Sequence, residues 1–287
     1  MSRENATPAG DSPFSREPAA QEARLRLRAG RIKRVVLILS GKGGVGKTTV
    51  AVQIARALAT KGLATGLLDA DLHGPTVPIM MGLESETPQA SAEGLKPVPA
   101  GENLSVMSLG FLVADPDAAV IWRGPLKTGA LRQFVADVDW GPLDYLIVDC
   151  PPGTGDEPLT VAQMFDKAAW ALVVTTPQRV AVADARRAAK FARLVGLRLA
   201  GVIENMSGFD CPHCGGRIDL FREGGGEGLA DAVGVPLLGR VPFHFALVLG
   251  ADHGDPDLGR ASDAADAFAR IADGLINAIE RESGARE

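Results

Sequence analysis

The stretch VVLILSGKGGVGKTT, residues 35–49, joins an apolar strand pattern to a glycine-rich turn and then to a helical pattern. Residues 41–48 match G-x-x-x-x-G-K-[ST], a loop in which successive backbone N–H groups converge on phosphate oxygens. The helix that begins there adds the positive end of its dipole. This order of strand, loop and helix predicts a nucleotide phosphate site on an α/β sheet.

The side chains of this loop suit phosphate and magnesium chemistry. Lys47 is expected to place a positive charge on the β and γ phosphates, and the Thr48 hydroxyl to hold Mg²⁺. A second lysine, Lys42, either serves a facing subunit or is a solvated surface residue, and its spacing leaves both interpretations open. The predicted nucleotide-binding residues of the loop are Gly41, Lys42, Gly43, Gly44, Val45, Gly46, Lys47, Thr48 and Thr49.

Short apolar runs rich in Val, Ile and Leu recur along the chain and predict buried parallel strands. They occupy residues 35–39, 63–70, 144–149, 170–176, 197–205 and 236–242. Segments with helical spacing occupy residues 48–61, 125–138, 158–165, 181–195, 226–233 and 262–280. This alternation predicts a single domain built on a doubly wound, mostly parallel α/β sheet, in which ligands bind beyond the carboxyl ends of the strands.

Acidic residues follow two of the predicted strands. Asp149, in DYLIVDCPPGTGD, is placed to reach the Mg²⁺ shell as a Walker B carboxylate does. Asp71, in DADLHGP, is expected to orient the attacking water; Asp69 has the same chemistry, but Asp71 is nearer the mouth of the site. Residues 151–155 are placed to sense the γ phosphate.

Cys211 and Cys214 form a C-x-x-C pair within CPHCGG, in a glycine-rich loop. Two thiolates at this spacing share one metal centre, either zinc or an iron–sulfur cluster. A thioredoxin-like redox pair is disfavoured, because Gly-Gly follows where a helix would begin. The chain has no second C-x-x-C, and Cys150 is interpreted as a small buried residue. The simplest four-thiolate site is therefore one shared by two copies of the chain in a symmetric dimer.

The composition is that of an ordinary globular protein rather than of a disordered or fibrous one. The 287 residues are 46% hydrophobic and 23% charged, and the net charge of −5 argues against a general electrostatic grip on DNA or an anionic membrane. Three cysteines indicate a reducing compartment. No apolar run reaches the roughly 20 residues that span a bilayer, and the first residues lack a signal peptide's apolar region, so a cytoplasmic protein is expected.

Six motifs occur in a fixed order, namely SGKGGVGKTT, DADLHGP, WRGP at residues 122–125, DYLIVDCPPGTGD, ENMSGF and CPHCGG. In this combination the chain resembles the Mrp/ApbC/Nbp family of P-loop ATPases, which are iron–sulfur cluster carriers in the deviant Walker A, or SIMIBI, class. The resemblance covers about residues 31–260. It implies a P-loop NTPase fold, slow ATP hydrolysis, and transfer of a labile [4Fe–4S] cluster to apoproteins.

The resemblance also implies roles for individual residues. Lys42 would be the signature lysine that reaches across a nucleotide-sandwiched homodimer, and Asp71 would lie in switch I. Residues 149–156 would form the Walker B and switch II segment. Asn205 would read the adenine base of ATP, and the cysteine pair of CPHC would bridge the cluster between the two subunits.

A second interpretation is a MinD/ParA-like positioning or scaffold ATPase with a structural zinc at the cysteine pair. Such ATPases usually lack CPHC, and the basic helices that their membrane or DNA contacts need are not evident in this sequence. The carrier is therefore the favoured interpretation, and neither nucleic acid nor membrane is an expected partner. The chain departs from the family in several places; among them, Cys150 replaces the usual Met, Leu or Thr, and residues 243–260 are looser than the usual ending.

The ends of the chain are expected to lie outside the fold. Residues 1–22 predict a disordered tail, 23–282 a P-loop ATPase domain that includes the metal-binding loop at 211–214, and 283–287 a flexible C-terminus. The basic stretch at residues 24–34 either contacts phosphate or membrane, or is a solvated face or short helix leading into the first strand. The second alternative is favoured.

Overall fold

A computed structural model describes most of the chain. The described ranges are residues 18–71, 74–112, 124–165, 169–257 and 262–284, with the backbone alone for 18–21 and 124–127. The predictions that fall outside the described residues concern residues 1–17 of the tail, His73 of DADLHGP, Trp122 and Arg123 of WRGP, and residues 285–287.

The strands of the described residues form a central sheet and two small hairpins. Their bounds are β1 Ile32–Ser40, β2 Thr65–Asp69, β3 Gln89–Ala90, β4 Leu95–Lys96, β5 Val98–Pro99, β6 Leu104–Ser108, β7 Leu143–Asp149, β8 Ala169–Thr175, β9 Arg198–Asn205, β10 Phe209–Asp210, β11 Arg217–Ile218 and β12 Leu237–Val241. The order in the central sheet is β12-β9-β8-β1-β7-β2-β6-β5. Its pairs are parallel, except that β5 runs antiparallel to β6.

Helices connect these strands. Their bounds within the described residues are α1 Pro18–Ala29, α2 Lys47–Thr60, α3 Val77–Met80, α4 Gly124–Asp137, α5 Asp156–Met164, α6 Arg179–Leu194, α7 Gly225–Val233, α8 Phe245–His253 and α9 Asp263–Gly284. In the described part of the chain, no helix is both long and apolar enough to cross a membrane.

The direction of the crossovers places helices on both faces of the sheet. From β1 the chain crosses through α2 to β2, whereas from β8 it crosses through α6 to β9 in the opposite direction. Because such crossovers are right-handed, opposite directions place α2 and α6 on opposite faces. Helix α9 packs on α2 and β12, and α7 packs on α6 and β9. The predicted doubly wound, mostly parallel sheet is confirmed.

Apolar side chains of the central strands fill the core. Leu37, Ile38 and Leu146 have no exposed surface. The apolar side chains of α9 are likewise buried, with Phe268 and Ile271 at 2% and 0% exposure. The parallel strands at the centre of the sheet are buried on both sides, which is why their sequences are continuous apolar runs.

The predicted strands and helices agree with the structure to within a few residues, and the differences have physical causes. Strand β6 was not predicted, because two of the five residues of LSVMS are serines; the buried one, Ser108, donates a hydrogen bond to Asp69. Helix α8 was not predicted, because FALVLGADH shows no polar face. Helix α9 continues to Gly284, four residues beyond the predicted end.

The N-terminal helix α1 begins inside the stretch predicted as a tail. Residues 18–22 are helical, and Leu25 is buried at 6% exposure. The Arg28 guanidinium donates hydrogen bonds to the carbonyl oxygens of Ala136 and Glu93. These contacts fasten α1 to the body of the protein, so the basic stretch forms a short helix before β1, as the favoured interpretation predicted.

Candidate functional site

The glycine-rich loop at residues 41–46 lies between the end of β1 and the start of α2. Gly44 and Gly46 have φ values of 79° and 77°, in the left-handed region that favours glycine. Helix α2 begins directly at Lys47, and the Val50 N–H donates to the Gly46 carbonyl at 3.0 Å. The turn therefore brings its own backbone and the first N–H groups of a helix to one point, which is the arrangement that binds phosphate.

Lys47 and Thr48 both contact Asp149 at the end of β7. Lys47 Nζ donates to Asp149 Oδ1 at 2.5 Å, and Thr48 Oγ1 donates to Asp149 Oδ2 at 2.7 Å. The side chains of Lys47 and Asp149 are 7% and 1% exposed. Burial raises the pKa of Asp149, and the lysine opposes that rise. The structure thus brings together three residues that the sequence predicted for phosphate and metal binding.

The oxygen atoms of this group suit a magnesium ion. The Thr48 hydroxyl and the Asp149 carboxylate lie side by side at the mouth of the loop, and hard oxygen donors are the ligands that Mg²⁺ takes beside a nucleotide phosphate. A magnesium ion bound there would neutralise charge on the phosphates.

Asp69 is a buried carboxylate that the sequence analysis set second to Asp71. It ends β2 directly beside Asp149 in the neighbouring strand β7. Its carboxylate accepts hydrogen bonds from the Asp71 N–H at 3.2 Å, the Val77 N–H at 3.3 Å and Ser108 Oγ at 3.0 Å. Asp69 therefore fixes the segment that follows β2, while Asp71 lies beyond the strand end and is half-buried. In the sequence, the signal for this role of Asp69 was its position at the end of a strand beside the strand that ends in Asp149.

Asp69 should make the stability of the nucleotide-free protein depend on pH. Burial, together with the charge of Asp149, raises its pKa from 3.8 to about 7. Its contribution to the free energy of unfolding is therefore complete below about pH 4 and is lost as the pH rises through about 7. We expect Asp69→Asn to show a shallower fall in the free energy of unfolding across this range, measured by urea denaturation.

Asp144→Asn is the control for this measurement. A hydrogen bond from Lys33 lowers the pKa of Asp144, so its contribution is lost only when the pH falls below the ordinary range of aspartate. This substitution should leave the slope between about pH 4 and 7 unchanged. Equal slopes for Asp69→Asn and the wild type would contradict the role given to burial of Asp69.

Asn205 contacts the glycine-rich loop from the end of β9. Its side-chain amide Nδ2 donates to the Val45 carbonyl oxygen at 2.9 Å, and the residue is 6% exposed. A Cβ at Gly46 would lie 2.2 Å from this Nδ2 atom, so only glycine permits the approach. Of the other loop residues, Lys42, Thr48 and Thr49 are half-buried.

The cysteine pair lies on a separate two-stranded hairpin, β10 and β11 with the turn between them (residues 209–218), here called the cysteine hairpin. The Cys211 N–H donates to the Gly216 carbonyl at 3.0 Å, and the Gly215 N–H to the Cys211 carbonyl at 2.8 Å. Cys211 is half-buried and Cys214 is exposed. Both thiols are therefore held on one tight turn at the surface.

The environment of Cys211 favours the thiolate form that binds metal. Hydrogen bonds from the backbone N–H groups of His213 and Cys214, and from the Cys214 thiol, lower the pKa of Cys211. Burial instead raises the pKa of Cys150, whose Sγ lies 3.7 Å from the Val148 carbonyl oxygen. Among the described residues no group of three or more His, Cys, Asp or Glu is placed to hold a metal ion. Within that part of the chain, the hairpin offers the thiols of Cys211 and Cys214, and no third ligand is grouped with them.

The chain is similar to known proteins that combine a phosphate loop with iron–sulfur chemistry. The family model ParA, described as the NUBPL iron-transfer P-loop NTPase, matches residues 31–276. The iron-sulfur cluster carrier protein of Methanocaldococcus jannaschii is 44% identical over 262 residues, which cover 91% of this chain and 90% of that protein. The human cytosolic Fe-S cluster assembly factor NUBP2 is 48% identical over 227 residues, 78% of this chain and 84% of that protein.

A solved structure is similar as well. The nucleotide-binding protein of Archaeoglobus fulgidus, in complex with ADP, is 38% identical, with a TM-score of 0.73 over 82% of this chain and 92% of that one. The family model covers the glycine-rich loop, both acidic strand ends and the cysteine hairpin. This chain therefore belongs to the family of NUBPL iron-transfer P-loop NTPases.

Proposed function

We propose that this protein is an ATP-hydrolysing carrier that binds a labile [4Fe–4S] cluster between two copies of itself and transfers it to apoproteins. The observation that carries the proposal is the presence, in one domain, of a complete phosphate loop and a surface hairpin whose two thiols have no third ligand grouped with them among the described residues. Relatives named as iron-sulfur cluster carrier and cytosolic Fe-S assembly factor support the same cargo.

ATP and Mg²⁺ would be bound at the glycine-rich loop. The backbone of residues 41–49 surrounds the phosphates, Lys47 neutralises the β and γ phosphates, and Thr48 with Asp149 holds the Mg²⁺ ion. In this state Lys47 would share its charge between Asp149 and the phosphates. Phosphoryl transfer needs positioning and charge stabilisation more than covalent chemistry, and this group supplies both.

Three further residues, Asp71, Asn205 and Lys42, are assigned to the nucleotide. Asp71 would orient the attacking water, because it follows β2 directly beside the strand end that bears Asp149. Asn205 would read the adenine base from its place against Val45. Lys42 would reach the nucleotide of the second copy in a homodimer and stabilise the charge that develops there.

The cluster would be held as cargo by Cys211 and Cys214 from each of two copies. A cubane cluster takes four thiolates, and a symmetric dimer brings two equal pairs together. The pair lies on the surface, with Cys214 exposed, which suits a cluster that must be passed on. A structural zinc site also takes four ligands, so two pairs of thiolates fit zinc as well, and it is the names of the relatives that favour a cluster.

The names of the relatives and the net charge of the chain indicate where the protein acts and on which kind of recipient. Relatives are named as cytosolic factors, and a cytoplasmic location would keep these thiols reduced. The net charge of −5 favours protein recipients over nucleic acid or anionic lipid.

Anaerobic reconstitution of the wild-type protein with iron and sulfide tests the proposal. We expect a broad visible charge-transfer band, about two irons per chain, and a dimer mass for the cluster-bound form. Mixing with an apoprotein that needs a [4Fe–4S] cluster should restore that protein's activity. Tightly bound zinc with no cluster, or a cluster that is never passed on, would overturn the carrier function in favour of a zinc-bearing scaffold ATPase.

A further inference from the structure

Glu204 is a fully buried carboxylate to which the nucleotide chemistry gives no role. It lies near the end of β9, with no exposed surface, immediately before Asn205. Burial of a carboxylate is costly unless it is paired and hydrogen-bonded, so its partners identify what it holds in place. Arg240, in the neighbouring strand β12, compensates its charge, with Nε 3.5 Å from Glu204 Oε1.

The hydrogen bonds of Glu204 go to both ends of the segment that carries the cysteine hairpin. Ser207 Oγ, at the start of the segment, donates to Glu204 Oε1 at 2.6 Å. At its end, the Gly226 N–H donates to Oε2 at 2.5 Å and the Gly224 N–H to Oε1 at 3.4 Å. One carboxylate therefore closes the base of the hairpin.

This closure depends on a close approach of the backbone. A Cβ at Gly226 would lie 2.7 Å from the Cβ of Glu204, so a larger residue would push the start of α7 away from the carboxylate. Arg217, within the hairpin, reinforces the base, because its Nη2 donates to the Ser207 carbonyl at 2.9 Å and its guanidinium pairs with Glu223 at 2.6 Å. The hairpin is therefore fastened at its base, whereas its turn is exposed.

Asn205, the next residue of β9, faces the other way. Successive side chains of a strand point to opposite faces of the sheet. Glu204 points to the start of α7, and Asn205 points to the glycine-rich loop, where it donates to the Val45 carbonyl. Two adjacent residues thus connect the phosphate site on one face to the base of the cysteine hairpin on the other.

We propose that Glu204 is a positioning residue that couples the nucleotide site to the cysteine hairpin, so that nucleotide binding changes the access to Cys211 and Cys214. Phosphate binding orders the loop around Val45 and fixes Asn205 against it. The end of β9 is then held more firmly, and through Glu204 so are Ser207 and the start of α7. The purpose of this coupling, control of cluster release, rests on the proposed function.

Alkylation of the cluster-free protein by iodoacetamide, with and without Mg·ADP, tests this coupling. Cys150 is fully buried, so the rate reports the two hairpin thiols. ADP is used because it is not hydrolysed. In the wild type we expect ADP to slow alkylation by at least about fivefold, the lower end of ordinary coupling between two sites. In Glu204→Gln, whose amide group repels one of the N–H donors, this effect should disappear although ADP still binds.

Glu227→Gln is the matched control, because Glu227 is also a partner of Arg240, at 2.7 Å, but is exposed where Glu204 is buried. It should respond to ADP as the wild type does. Should Glu204→Gln fail to fold, Ser207→Ala decides the matter, since it removes one donor to Glu204 and should weaken the ADP effect. The coupling would be overturned if ADP slowed alkylation of Ser207→Ala and Glu204→Gln as much as it slows alkylation of the wild type. It would also be overturned if ADP did not slow alkylation of the wild type.

The result is independent of the carrier function. The alkylation uses protein without a cluster, and ADP affinity is measured separately by calorimetry on each variant. A failed reconstitution with a normal ADP effect would count against the carrier and not against Glu204. A successful reconstitution with no ADP effect on alkylation would count against the role of Glu204 and not against the carrier function.

Discussion

Lys47→Ala is expected to lose ATP turnover by about 100- to 1000-fold, the usual cost of removing one preorganised donor from developing negative charge. The loss has two sources. The positive charge on the β and γ phosphates disappears. Asp149 also loses the lysine that opposes the rise of its pKa, so less of its carboxylate is ionised for Mg²⁺. Phosphate release in steady state measures the turnover, and calorimetry with Mg·ADP measures the binding.

Lys61→Ala provides a matched control, because Lys61 follows the same helix α2 at its other end. It forms an ion pair with Asp273 at 2.7 Å, with both side chains partly exposed. A surface pair of this kind contributes roughly 0–1 kcal/mol, so turnover should not change. Near-normal turnover in Lys47→Ala would contradict the assignment of the phosphate site.

Replacement of both Cys211 and Cys214 by serine should remove the cluster entirely. Each chain supplies two of the four thiolates, so the double variant leaves a dimer with none. Iron content after anaerobic reconstitution should fall from about two per chain to background, and the visible band should vanish. The affinity for ADP should be unchanged, because the side-chain contacts given for Lys47 and Thr48 in the described part of the chain are to Asp149 and not to the cysteine hairpin.

Cys150→Ala is the control for iron content. Its thiol is fully buried and its pKa is raised by burial, so it is not a thiolate that binds iron. This variant should retain the cluster. Retention of iron by the serine double variant, or loss of iron in Cys150→Ala, would move the cluster away from the hairpin.

The phosphate loop and the acidic strand ends were predictable because their chemistry requires fixed residue types at fixed spacing. Lys47, Thr48 and Asp149 meet at 2.5 and 2.7 Å although a hundred residues separate the loop from the carboxylate, and the motif together with the parallel sheet was enough to predict that meeting. Asn205 was assigned through the family resemblance, and its contact with Val45 places it beside the loop.

The roles of Asp69 and Glu204 were not predictable in the same way. Each carboxylate is defined by long-range partners, Ser108 and Asp149 for the first, Arg240 and Gly226 for the second, and no local pattern shows such contacts. A sequence signal existed all the same. A charged residue inside a run predicted to be a buried strand, as in LRLAGVIEN, must have partners that offset its burial.

The hydrogen bonds of Ser207 and Gly226 to the Glu204 carboxylate bear on how this chain could evolve. The two ends of the intervening segment lie close together, so the segment behaves as an insert whose length and content can change without moving the sheet. Insertions are tolerated best where the chain leaves and re-enters a fold at one place. A nucleotide-dependent switch could thus acquire a cargo site, or exchange it for another, by replacing a single loop.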